Sequence, residues 1–332
     1  MKMKNRYEEL DSLKGLAIIL VYLGHCFQLG EINLINNSFA NLYIFRSIYS
    51  FHMPLFFIIS GFVSNSSKNI KLSKFYKNKV LRLLIPYFFI NLLDFIPRTL
   101  FPNLVNSKFA GIEELLFNGT KISWFIYTLF IIFIIFPLLN RYILKKDDYY
   151  LFGMFLFIIN YLGIFARIRV FALNSVIYYL IYFYLGYILK EKIKNCEINK
   201  VFVGNIGWII NSIIFIFFSY KFYAINLFTS VLFALSGSLF SLNLILRIER
   251  CRRIINLFKF IGVNSLTFYL LEGFISVVYR SILIKIIPLE YNFILILSSF
   301  FLKILTGCIV IKYIVIKNTI LSFLLGAKMS KV

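Results

Sequence analysis

The stretch KGLAIILVYLGH, Lys14–His25, carries a cation at one end of an apolar run and an imidazole at the other. On a helix, eleven residues make close to three turns, so the two side chains point in nearly the same direction, about 16 Å apart along the axis. Asp11 lies one turn before Lys14 on that face. The stripe suits a ligand with an anionic head at a membrane edge and a reactive end deeper inside. Lys14 would meet the head, Asp11 would orient or balance Lys14, and the imidazole of His25 would take a proton from a hydroxyl near neutral pH. The plainer readings are a positive anchor for Lys14 and a hydrogen-bonded packing residue for His25.

Other ionisable residues interrupt the apolar segments. His25 and His52 are the two histidines of the chain, and both fall within apolar runs. Arg46 precedes His52, Asp94 follows in the next run, and Glu272, Arg280 and Lys303 lie towards the end. A charged side chain in a bilayer is costly unless paired or hydrated, which makes each a candidate for function. In FHMPLFFIISGF, His52 and Pro54 interrupt the run; a proline inside a span is expected to free backbone carbonyls that line a cavity. Lys68, Lys71, Lys74, Lys77, Lys79 and Arg82 then crowd one short loop. Such a cluster enforces topology or touches anionic lipid; alternatively Lys79 and Arg82, three residues apart, clamp a phosphate.

The elements that must position these groups follow from composition. Hydrophobic residues make up 60% of the 332, aromatics 19% and charged residues only 15%, with a mean hydropathy of +0.83. Long apolar runs recur along the whole chain, the signature of an all-α, polytopic membrane protein. Ten spans are expected, near 13–30, 43–63, 83–101, 122–139, 149–165, 173–189, 202–219, 224–246, 258–279 and 291–311, forming a single membrane-embedded domain over 1–332. The net charge of +22 is dispersed between these runs and not gathered in one stripe. That distribution argues against nucleic acid and, by the preference of Lys and Arg for the inner side, puts both termini in the cytoplasm. The first run is expected to be a retained span, and 312–332 a cytoplasmic tail. Cys26, Cys196, Cys251 and Cys308 are scattered, which indicates neither a disulfide framework nor a metal site.

The runs DSLKGLAIILVYLGH, FHMPLFFIISGF and KNKVLRLLIPY together resemble the membrane-bound acyltransferase-3 family, in particular its fucose 4-O-acetylase-like sugar O-acetyltransferase branch. The family carries a basic residue separated by ten others from a histidine, matched by Lys14 and His25. Its Arg-x-x-Arg motif is matched loosely by Lys79 and Arg82. SWFIYTLF, from Ser123, resembles the branch's Trp-Phe-Leu segment, and IGVNSLTFYLL, from Ile261, its late Gly-x-Asn-Ser motif. In many relatives that motif ends in histidine, where this chain has Glu272. The motifs are densest over residues 6–90.

The resemblance implies transfer of an acyl group, usually acetyl from acetyl-CoA, to a hydroxyl of a carbohydrate that is lipid-linked or polymeric, at the plasma (inner) membrane. Lys14, Lys79 and Arg82 would hold the CoA phosphates. His25 would deprotonate the acceptor hydroxyl or accept the acetyl group first. His52 joins it as a second catalytic candidate, with Arg46 able to steady the acceptor or the developing oxyanion. Trp124 would stack on a sugar ring, and Glu272 is a further substrate contact. No metal enters this chemistry. The competing class is a carrier, either a polysaccharide flippase or polymerase or a proton-coupled transporter, in which the same residues would form a proton relay.

Overall fold

The computed structural model describes residues 8–29, 32–65, 71–100, 111–120, 123–142, 148–192, 205–221, 223, 225–248 and 250–327. Lys68 and Cys196 lie outside the described residues. The described secondary structure is helical apart from two short strands, Gln28–Leu29 and Ile32–Asn33, which pair antiparallel. In chain order the helices are α1 Glu8–His25, α2 Phe39–Tyr49, α3 His52–Asn65, α4 Leu72–Lys79, α5 Ile85–Leu100, α6 Trp124–Tyr142 and α7 Tyr149–Tyr161. They continue as α8 Leu173–Lys192, α9 Asn205–Phe218, α10 Leu227–Ile248, α11 Arg252–Val263, α12 Ser265–Ile286, α13 Asn292–Val310 and α14 Thr319–Leu324.

Among the described residues, six helical stretches are long and apolar enough to cross a bilayer: Phe39–Ser64, Trp124–Tyr142, Val170–Glu191, Leu227–Ile248, Ser265–Ile286 and Leu289–Val315. The chain is a multi-pass helical membrane protein. α7 and most of α9 are apolar but shorter.

Four sequence expectations change in detail. The run expected at 43–63 is two helices, α2 and α3, with Ser50 and Phe51 in a turn between them. Pro54 therefore sits in the first turn of α3, where its missing N–H has no partner within that helix to lose. The run expected at 258–279 divides at Asn264, whose backbone leaves the helical region (φ −104°, ψ 22°), into α11 and α12. The expected tail is ordered at its start: a π-helical turn Ile311–Val315 extends α13, and Asn318 caps α14 by accepting from the Leu321 N–H.

The chain packs as two units, one of residues 1–56, 193–317 and 330–332, the other of 57–192 and 318–329. In the first, α1 is buried along most of its length. It meets α11 backbone to backbone: a Cβ on Gly15 would stand 1.9 Å from the Phe258 carbonyl oxygen, and one on Gly262 would stand 1.7 Å from that of Asp11. Glycine on both helices is what permits this approach. Lys259 on α11 ties down the start of α1 through Glu8, at 2.7 Å.

The second unit uses the same device. A Cβ on Gly61 of α3 would lie 1.8 Å from the Phe183 carbonyl oxygen, and one on Gly186 of α8 would lie 1.9 Å from that of Ile58. A buried polar triangle closes around α5 and α6: the Asn91 amide donates to Ser123 Oγ at 2.8 Å, and Thr120 donates to Asn91 Oδ1 at 2.6 Å. Every polar member has a partner, as burial away from water requires. Residues 114–118 form a short π-helical turn, whose Leu115 and Leu116 carbonyls accept from the Tyr87 and Tyr127 hydroxyls.

Candidate active site

His25 ends α1, and its ring nitrogen Nδ1 is 2.7 Å from Glu272 Oε2 on α12. An ionised carboxylate only accepts, so Nδ1 carries the proton of this bond and Nε2 is left as the acceptor. The two partners differ in exposure. The Glu272 side chain is 6% exposed, while that of His25 is 42% exposed. Among the described residues no hydrogen-bond partner meets Nε2. The imidazole is thus gripped on one edge by a buried carboxylate and open on the other. That arrangement suits a base that takes a proton from a bound hydroxyl.

The register that brings them together is set one turn below. Tyr22, three residues before His25, donates its hydroxyl to the carbonyl of Phe268, four residues before Glu272, at 2.9 Å. The two rings meet edge to face, and Gly307 on α13 leaves room for the Phe268 ring, which a Cβ there would approach to 2.9 Å. On the far side of the carboxylate, Ser276 donates its hydroxyl to Glu272 Oε1. Lys303 Nζ is 3.9 Å from that same oxygen.

Of the remaining expected residues, Asp11, Lys14, Arg46 and His52 belong to the same unit as the couple. Lys14 Nζ and Asp11 Oδ1 are 3.9 Å apart, with Lys14 a quarter exposed at the α1–α11 crossing. Asp11 stands fourteen residues before His25, about 21 Å along the helix. Asp11, a catalytic candidate alongside His25 and His52, has its carboxylate beside Lys14. His52 is buried, and its Nδ1 is 2.8 Å from the Ile48 carbonyl. Tyr49 lies between, its ring edge-on to His52 and packed where a Gly24 Cβ would stand 2.8 Å away. His52 thus supports the aromatic residue that flanks the end of α1, and is not brought to His25 by a hydrogen bond. Arg46 is half-buried on α2, with no side-chain partner among the described residues. Glu272, expected as a substrate contact, is hydrogen-bonded to the His25 imidazole.

Lys79, Arg82 and Trp124 belong to the second unit. The Lys79 ammonium lies 3.3 Å from the centre of the Phe133 ring, a cation–π contact, whereas Arg82 is exposed on the π-helical turn Val80–Leu84. Trp124 is half-buried against Tyr179 at 5.4 Å, and Tyr179 stacks on Phe57 at 4.4 Å. Sequence reasoning noted Lys303 only as a cation in a span and missed Ser276 and the Tyr22–Phe268 register. Ser276 sits one turn after Glu272, a signal available in the sequence. Among the described residues, no group of three or more His, Cys, Asp or Glu could hold a metal ion.

A half-open imidazole backed by a buried carboxylate can exchange a proton with a bound hydroxyl. The comparison with protein families specifies the class: the chain belongs to the acyltransferase-3 family, whose model, described as an acyltransferase domain, matches residues 7–313. It is also similar to the nodulation protein NolL of Sinorhizobium fredii, 38% identical over 86 residues, which are 26% of this chain and 23% of that protein. A second NolL, from Mesorhizobium japonicum, is 32% identical over 142 residues, 42% of this chain and 37% of that protein. The matches thus span well under half the length of these relatives. No solved structure matches the chain.

Proposed function

We propose that the protein transfers an acetyl group from acetyl-CoA to a hydroxyl of a cell-surface carbohydrate, with His25 as the base. The observation that carries this reading is the His25–Glu272 couple, with its open ring edge, in a chain of the acyltransferase-3 family. The acceptor hydroxyl attacks the thioester carbonyl carbon while His25 Nε2 takes its proton. The C–O bond forms, the C–S bond breaks, and the imidazolium returns the proton to the departing CoA thiolate. Glu272 fixes the ring and offsets the positive charge it briefly carries.

Lys14, at the opposite end of the stripe, holds the phosphates of the donor, with Asp11 steadying it. The roles of Lys79 and Arg82 as further phosphate contacts, and of Trp124 as a sugar platform, rest on the family resemblance. Arg46 offers a cation to the acceptor, and His52 supports the wall beside the base. The chain works as one membrane-embedded domain of about ten spans in the inner membrane, both termini cytoplasmic, by the distribution of Lys and Arg.

Membranes holding the protein, incubated with acetyl-labelled acetyl-CoA and the host glycan, test the reading. Label should pass to base-labile ester on glycan, and His25→Ala should stop it. Unlabelled glycan whose export nonetheless depends on the protein would establish a carrier instead.

A further inference from the structure

α13 carries a lysine near its middle, in the apolar stretch Leu289–Val315. The Lys303 side chain is wholly buried, and among the described residues its Nζ makes no hydrogen bond. A buried cation left so is costly, and in a membrane helix it is retained where a counter-charge faces it. The counter-charge is Glu272, whose Oε1 lies 3.9 Å away. Packing fixes this relation: the Cys26 thiol, next to His25, reaches Ser299 Oγ at 3.6 Å, and Ser299 is one turn before Lys303. α1, α12 and α13 therefore each contribute one charged or ionisable group to a single row: imidazole, carboxylate, ammonium.

The order of that row has a chemical consequence. A buried carboxylate whose one partner is an imidazole is best balanced when the ring is already protonated, and such a ring cannot take a proton from a hydroxyl. A cation on the other oxygen balances the carboxylate without using the ring. We propose that Lys303 is a positioning residue acting through Glu272: its ammonium shares in balancing the carboxylate from the Oε1 side and keeps Oε2 turned to His25, so that the ring is held by Nδ1 with Nε2 free to accept. Lys303 touches neither donor nor acceptor. The proposal rests on the acetyl-transfer reading above.

The test is a double-mutant cycle on acetyl transfer, in full-length protein at matched membrane levels. Lys303→Met should lower kcat at least tenfold and leave KM for acetyl-CoA within twofold. In a Glu272→Gln background, the same substitution should cost nothing further. If Lys303→Met fails to reach the membrane, Lys303→Gln is read in the same way, and the Glu272→Gln/Lys303→Met pair, which removes both charges, should insert. Wild-type kcat in a Lys303 variant, or losses that multiply in the double variant, would overturn the role of Lys303 while acetyl transfer itself stood. A wild-type protein that transfers no acetyl group would bring down both.

Discussion

His25 and Glu272 are separated by 247 positions in the chain and by 2.7 Å in space. The contact is made at a helix end on one side and from within a span on the other. It is therefore fixed by how α1 and α12 pack, through Tyr22 and the Phe268 carbonyl, and not by any local motif. The consequences for acyl transfer can be measured one residue at a time.

His25→Ala should lower transfer by about a hundredfold or more, the usual contribution of a positioned general base. His52→Ala should lower it less, because His52 acts through Tyr49 and the Ile48 carbonyl. Turnover of the two variants at equal membrane levels checks the ranking; the reverse order would assign the base to His52.

Glu272→Gln keeps the shape of the side chain and removes its charge. A hydrogen bond to a charged group contributes about 1.5–3 kcal/mol, so kcat should fall roughly ten- to a hundredfold with KM for acetyl-CoA little changed. Steady-state kinetics in membranes or detergent decide this. A rise in KM with normal kcat would return Glu272 to a substrate contact.

Lys14→Ala should weaken acetyl-CoA while leaving the protein inserted and kcat at saturation near normal. Loss of one charge-assisted phosphate contact corresponds to about a tenfold or larger rise in KM. Equal affinity of wild type and variant, by direct binding of the donor, would remove Lys14 from the phosphate site.

Gly262→Ala should be among the most damaging single-methyl changes in the first unit, since the new carbon would stand 1.7 Å from the Asp11 carbonyl oxygen. Overpacking of this kind costs about 1–3 kcal/mol or more, and here neither helix can yield without parting α1 from α11. Gly207→Ala, where nothing beyond the adjacent backbone of its own helix lies within 4 Å of the added carbon, is the control. Thermal melting in detergent should separate the two.

Much of this architecture is legible in the residues themselves. The class follows from apolar runs, because a bilayer demands long helices with internally satisfied backbones, and the stripe of Asp11, Lys14 and His25 is legible because spacing on one helix is enough to define a face. The break between α2 and α3 is visible in the sequence as the interruption at His52 and Pro54, but not as a boundary between two helices, since sequence does not say where a helix starts relative to its proline. The division at Asn264 was hidden because α11 continues the apolar pattern of α12. The Glu272 partnership was hidden for a deeper reason: it depends on the crossing of two distant helices, to which no periodicity refers. Lys303 stood out as a cation in a span, but its partner could be named only from packing.

The most direct test of the account is glycan O-acetylation, read by mass spectrometry in cells carrying the wild type, a deletion, or His25→Ala at matched membrane levels. The account predicts that acetyl is lost in the deletion and in His25→Ala alike, while the amount and length of glycan persist. Acetylation that survives in His25→Ala, with glycan export or length collapsing instead, would contradict it and place His25 on a translocation path.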